Sequence, residues 1–119
     1  MMTDKEIVSN NKLIALFMGA KYYNDDEQMF PLGYYILDEC TFNDYEFVYH
    51  ESWDWLMDVV VRIEELGYFC MINKWVSVYT GSDGERISIT TVEGNSKKTN
   101  VYIAVIKFIK WYNNVTENK

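Results

Sequence analysis

Apolar and polar residues recur at helical spacing most clearly from Ser52 to Gly67, S-W-D-W-L-M-D-V-V-V-R-I-E-E-L-G, where no proline or internal glycine interrupts the run. Ser52 offers a hydroxyl to the orphan amides of a first turn, Asp54 puts negative charge at the positive end of the helix dipole, and Gly67 suits the left-handed residue that closes a helix. On a helical wheel Asp54, Asp58, Arg62 and Glu65 share a sector roughly 80° wide, and nearly everything else is apolar. The pattern therefore predicts a helix enclosed over most of its circumference. Trp53, Leu56, Met57, Val60 and Ile63 form one continuous face, and Trp55, Val59 and Leu66 extend it. Glu64 falls inside the apolar arc, near enough to the helix end for its carboxylate to reach water.

Two further helices are expected. Leu13, Ile14 and Phe17 make a short apolar stripe over Asn10 to Met18, capped by Ser9 or Asn10 and ended by Gly19, with residues 1–8 frayed. A final helix over Lys97 to Asn113 sets Val101, Ala104, Val105, Phe108 and Tyr112 against a polar arc of Thr99, Asn100, Lys107, Lys110 and Asn114. Ile103 lies in the middle of that polar arc. It reads first as an isolated exposed residue and alternatively as a contact for a partner or a second copy of the chain.

The strand signals lie between the helices. Ala20 to Gly33 is rich in Tyr, Asn, Asp and Gln around the single proline, Pro31, and reads as a loop. Tyr34 to Leu37 and Tyr45 to Tyr49 are β-rich and suggest a hairpin joined through Thr41 to Asp44. Phe69 to Tyr79 reads as one long strand, apolar on both faces and bulged at Asn73-Lys74. Gly81-Ser82-Asp83-Gly84 is a turn signal leading into the alternation of Glu85 to Val92. Together these elements predict a single α+β domain spanning 1–119, with three helices packed on a small, mainly antiparallel sheet of 3–4 strands.

Composition narrows the class. A hydrophobic content of 49% excludes a disordered chain, and the longest apolar runs fall far short of the ~20 residues that span a bilayer. No N-terminal segment has the order of a secretory signal, so the expectation is a soluble cytoplasmic protein with Cys40 and Cys70 as free thiols. The net charge of −7 is concentrated: residues 1–67 hold 14 acidic against 4 basic side chains, and the remainder 4 against 7. Direct binding of nucleic acid through the acidic half is disfavoured; a basic partner, or one that itself binds nucleic acid, fits better.

Catalytic chemistry has little to draw on. One histidine, His50, and two cysteines without paired spacing do not make a zinc site. Cys40, His50 and Asp54 are the residue types of a thiol nucleophile with its base and orienter, but a triad is a matter of geometry, and nothing in the sequence places Cys40 beside His50. Asn24-Asp25-Asp26-Glu27 could attract a hard cation, yet it lacks the alternating acids and fixed glycine of a calcium loop and reads as a solvated turn. No phosphate cradle and no cofactor motif is present.

The aromatics are more suggestive. Tyr22, Tyr23, Phe30, Tyr34 and Tyr35 crowd one segment; amphipathic rings at a surface are favoured anchors for a protein partner, while the plainer reading is a small cluster packed beneath a loop. With Ile103, these five are the candidate partner-binding residues. N-N-K-L-I-A-L-F-M-G (Asn10 to Gly19), S-W-D-W-L-M-D-V-V-V-R-I-E (Ser52 to Glu64) and V-Y-I-A-V-I-K-F-I-K-W-Y-N (Val101 to Asn113) together resemble a group of small, uncharacterised proteins encoded by phages and prophages of gut bacteria. The resemblance covers about a third of the chain. Its relatives carry a proline after W-L-M where this chain has Asp58, a difference of helix geometry. The resemblance implies a cytoplasmic protein of a mobile element and assigns no activity, so no catalytic residue carries over. The expected function is therefore non-catalytic protein–protein binding. The alternatives are a nucleic-acid mimic that blocks a nucleic-acid-binding protein, and an enzyme with an unfamiliar site around His50.

Overall fold

The computed structural model describes residues 2–23, 34–43, 45–80 and 87–117, and among them it has three α-helices and two three-stranded antiparallel sheets, an α+β protein. The expectation of one sheet of 3–4 strands is thus corrected to two sheets. The backbone divides into two compact units, Met1–Val48 and Tyr49–Lys119.

The N-terminal unit opens with α1 (Asp4–Phe17), which begins well before the expected Asn10. Its cap is Thr3, whose hydroxyl accepts from the Glu6 amide at 3.2 Å while the Glu6 carboxylate accepts from the Thr3 amide at 3.4 Å. This reciprocal pair satisfies two orphan donors and holds residues 4–8 helical instead of frayed. After Gly19, at φ 106°, the chain enters β1 (Lys21–Tyr23), followed by β2 (Tyr34–Leu37) and β3 (Cys40–Phe42) in the order β1-β2-β3. The first residues of the expected 20–33 loop are therefore a strand; residues 24–33, with Phe30, Pro31 and the Asn24 to Glu27 run, lie outside the described residues.

The β2–β3 reversal also differs from expectation. It is a two-residue turn at Asp38 and Glu39, both left-handed at φ 51° and 68°, which suits the twist of a tight hairpin. Thr41 and Phe42 belong to the returning strand, and Tyr45 to Tyr49 is not a strand at all. Phe47 and Tyr49 are instead buried side chains on irregular backbone.

In the C-terminal unit, α2 (Trp53–Glu65) has the expected limits, with Ser52 Oγ accepting from the Trp55 amide at 3.3 Å and Gly67 left-handed at φ 100°. The predicted long strand is a hairpin: β4 (Phe69–Ile72) pairs antiparallel with β5 (Val76–Thr80), and the polar Asn73-Lys74 segment reverses the chain where a bulge was expected. β6 (Ile87–Val92) completes the order β4-β5-β6, and the intervening turn at 81–86 lies outside the described residues. Finally, α3 (Lys97–Glu117) packs on β5 and β6, and α2 packs on β4 and on α3. Val76, Val78 and Val92 face inward with Leu56, Ile63 and Phe108 in the core.

Between the two helices, burial is the reverse of what the wheels suggest. α3 is enclosed on most sides: Tyr102, Ile106 and Ile109 are buried along with Val101, Ala104, Val105 and Phe108 of the expected stripe, whose Tyr112 is half-buried, and Asn100, expected on the polar arc, is fully buried at 0% exposure. α2 buries only the arc of Leu56, Val59, Val60 and Ile63.

Candidate functional site

Pairing of β1 with β2 sorts the tyrosine cluster onto two sides of its sheet. Tyr23 lies opposite Tyr34 with the rings stacked at 5.5 Å, and Tyr22 lies opposite Tyr35 at 5.0 Å. Cross-strand partners share a face and successive residues alternate, so these pairs point in opposite directions. Tyr22 and Tyr23 are exposed and Tyr34 is half-buried. Tyr35 is only 5% exposed, with its ring edge against Phe47 at 5.4 Å, and is a core residue of this unit instead of a surface anchor. Ile103 is half-buried on α3 in the other unit.

Sequence reasoning placed Trp53 and Met57 in a covered face, but α2 leaves that side open. Trp53, Met57 and Val61 are 39%, 39% and 48% exposed. Their spacing of four residues sets one large apolar group on each turn along a single side. Glu64 stands at the end of this stripe, Asp54, Asp58 and Glu65 border it, and all four are exposed. The wheel shows which residues lie together; it could not show that only the adjoining arc would be packed.

A second open surface is the outer face of the β4-β5-β6 sheet, where a shallow groove of about 350 Å³ is lined by Met71, Trp75, Ser77, Tyr79, Ser88 and Thr91. Phe69 lies beyond it, stacked on Tyr79 at 5.4 Å. Three hydroxyls run across the floor: Thr91 Oγ1 is 3.3 Å from Ser77 Oγ and 3.2 Å from Ser88 Oγ. None of these residues was singled out from the sequence.

His50 Nε2 lies 3.3 Å from the Glu51 carboxylate, and the imidazole is 6.2 Å from the Tyr102 ring. Burial raises the Tyr102 hydroxyl above its ordinary range. Cys40 is exposed in the N-terminal unit; Cys70 is half-buried on β4, its thiol pushed up to about 12 by burial and then by the neighbouring Glu64 carboxylate. Such a thiol is protonated at neutral pH and is a poor nucleophile. Among the described residues no three His, Cys, Asp or Glu side chains are grouped to hold a metal ion, and no helix is long and apolar enough to cross a membrane. In comparisons with known proteins, the chain matches no family, no curated protein and no solved structure.

Proposed function

We propose that this protein is a non-catalytic binding module, an accessory protein of a mobile element, that acts by protein–protein contact through the open side of α2. The observation that carries this reading is the stripe of Trp53, Met57 and Val61 exposed beside Asp54, Asp58 and Glu65. Large apolar side chains bordered by charge are what an interface centre and its rim require, and Trp is among the residues most enriched at hot spots. The border is acidic and the chain carries −7 overall, so the complementary partner surface is basic.

Affinity capture from a host lysate, run with the wild-type chain and with Met57→Lys combined with Val61→Lys, tests the proposal. Both positions are exposed, so the variant is expected to fold, which a thermal melt run beside the capture checks. A partner held by the wild type is expected to be lost by the variant, with a weakening of about 30-fold or more, equivalent to a hot-spot loss of about 2 kcal/mol. Equal capture by both chains would sink the idea. The nucleic-acid-mimic reading predicts capture of a nucleic-acid-binding protein that the apolar changes leave untouched; it is the weaker one, since Arg62 interrupts the acidic side of α2. A catalytic role at His50 would draw on the exposed Glu51 carboxylate and the Tyr102 ring near it.

A further inference from the structure

The outer face of the C-terminal sheet is shaped by an irregularity in β6. Strand residues separated by three positions point to opposite faces of a regular sheet. Ser88 and Thr91 are so separated, yet their hydroxyls meet at 3.2 Å. The register explains it: Thr90 pairs with Val78, but Ser88 pairs with Tyr79, so Ile89 is an extra residue in β6. That bulge turns Ser88 onto the same side as Thr91 and Ser77, completing a row of three hydroxyls across β5 and β6. Bulges of this kind are over-represented at sheet edges, where β6 lies, and next to active sites, where they re-aim a side chain.

Beside the row stand Met71 on β4, across from Ser77, Tyr79 on β5, across from Ser88, and the indole of Trp75, which is 43% exposed. The groove thus interleaves rings and hydroxyls on one sheet face, and the described residues that line it include no carboxylate, ammonium or guanidinium. At about 350 Å³ it lies at the lower end of the range of roughly 300 to 1,000 Å³ typical of small-ligand sites.

We propose that this groove binds a neutral saccharide of mono- or disaccharide size. A hydroxyl supplies one proton and two lone pairs, so a linked row of three keeps one proton and several lone pairs for a ligand. A phosphate or carboxylate, which chiefly accepts, would meet too few donors and, among the described lining residues, no positive charge. An ammonium group, which only donates, would meet no carboxylate among the described lining residues. A wholly apolar occupant would strip water from the hydroxyls without replacing its hydrogen bonds. A sugar ring both donates and accepts along its hydroxyl edge and lays its C–H face on an aromatic ring. This site is separate from the open side of α2 and its occupancy does not depend on a protein partner.

The experiment is amide chemical-shift mapping of the full chain against glucose, galactose, N-acetylglucosamine, maltose and lactose, with inorganic phosphate and indole as controls. At least one sugar is expected to shift Trp75, Ser77, Ser88 and Thr91 together. Ser77→Ala combined with Thr91→Val, which keeps a branched residue on the strand, should weaken that sugar about tenfold while leaving indole unaffected. Trp75→Ala should weaken both. If no sugar shifts these residues, if the hydroxyl variant binds sugar as well as the wild type, or if phosphate or indole binds more tightly than every sugar, the proposal is overturned. Should Trp75→Ala fail to fold, the hydroxyl variant decides alone. Self-association that shifts this same face as the protein is concentrated would assign the groove to an interface between copies and would also overturn it.

Discussion

The side-chain amide of Asn11 donates a 2.9 Å hydrogen bond to the backbone carbonyl of Phe47, tying the middle of α1 to the last buried residue of the N-terminal unit. Both residues are almost wholly enclosed, at 2% and 1% exposure. Asn11→Ala removes the donor from a site that water cannot readily fill, and should cost about 1–3 kcal/mol in urea unfolding. Asn11→Asp should cost more at pH 7, because a carboxylate has no proton to offer the carbonyl. Its deficit relative to the alanine variant is expected to shrink on acidification, as the carboxyl becomes a donor.

Asn100 is the corresponding buried asparagine of the C-terminal unit, and it should respond differently. Its amide donates to the Lys74 carbonyl at 3.4 Å and to the Asn95 carbonyl at 3.2 Å, which fastens the β4–β5 reversal to the start of α3. Its Oδ1, however, is buried with no hydrogen-bond partner among the described residues. Asn100→Ala loses two long hydrogen bonds but also removes an unsatisfied acceptor, and these effects oppose one another. The expected cost is smaller than that of Asn11→Ala, on the order of 1 kcal/mol or less, in parallel denaturation curves. A larger loss at Asn100 than at Asn11 would show that the two carbonyl contacts dominate.

The parts of this fold legible in the sequence are those announced by local chemistry. Ser52 and Gly67 bracket α2 because a hydroxyl cap and a left-handed glycine act within one turn of the helix end. Thr3 and Glu6 are an equally local signal for the start of α1, although the apolar periodicity becomes strong only around Leu13 to Phe17. Asp38 and Glu39 turn the chain without glycine, so the sequence points to a reversal at Thr41 to Asp44 instead. Asn73-Lys74-Trp75 contains neither glycine nor proline, and β4 and β5 merged into one strand. The candidate surfaces were hidden for non-local reasons. Which apolar arc of α2 is packed depends on where β4 and α3 lie, and the Ser88–Thr91 pair exists only because the Ile89 bulge breaks the period of two on which strand reading rests.

The open side of α2 separates two kinds of substitution on one helix. Leu56 is fully buried, and Leu56→Ala should cost about 2–5 kcal/mol through lost packing and the cavity it leaves. Trp53, at 39% exposure, reads from sequence as an equally costly core residue, yet Trp53→Ala should cost clearly less than Leu56→Ala, because part of the indole is already in water. Trp55 is half-buried and meets the buried Tyr49 edge-on at 5.0 Å, so Trp55→Ala should fall between them. Thermal melts of the three variants check the order. A Trp53→Ala chain as unstable as Leu56→Ala would move Trp53 into the core and withdraw it from the proposed contact surface.

Alkaline pH should weaken the fold in a way that can be traced to Cys70. Its thiol is pushed from an ordinary value of 9.0 up to about 12, chiefly by burial and secondly by the Glu64 carboxylate. Below pH 9 the group is protonated in both the folded and the unfolded chain and adds no pH dependence. Between 9 and about 12 the unfolded chain releases the proton while the folded chain retains it, so rising pH favours unfolding across that window. The Tyr102 hydroxyl, raised by burial, acts in the same direction from its ordinary value of 10.0 upward. Urea midpoints measured from pH 8 to 10.5 should therefore fall more steeply for the wild type than for Cys70→Val, in which only the Tyr102 contribution, beginning near pH 10, is left of the two. Parallel curves for the two chains would mean that the folded thiol ionises as readily as the unfolded one.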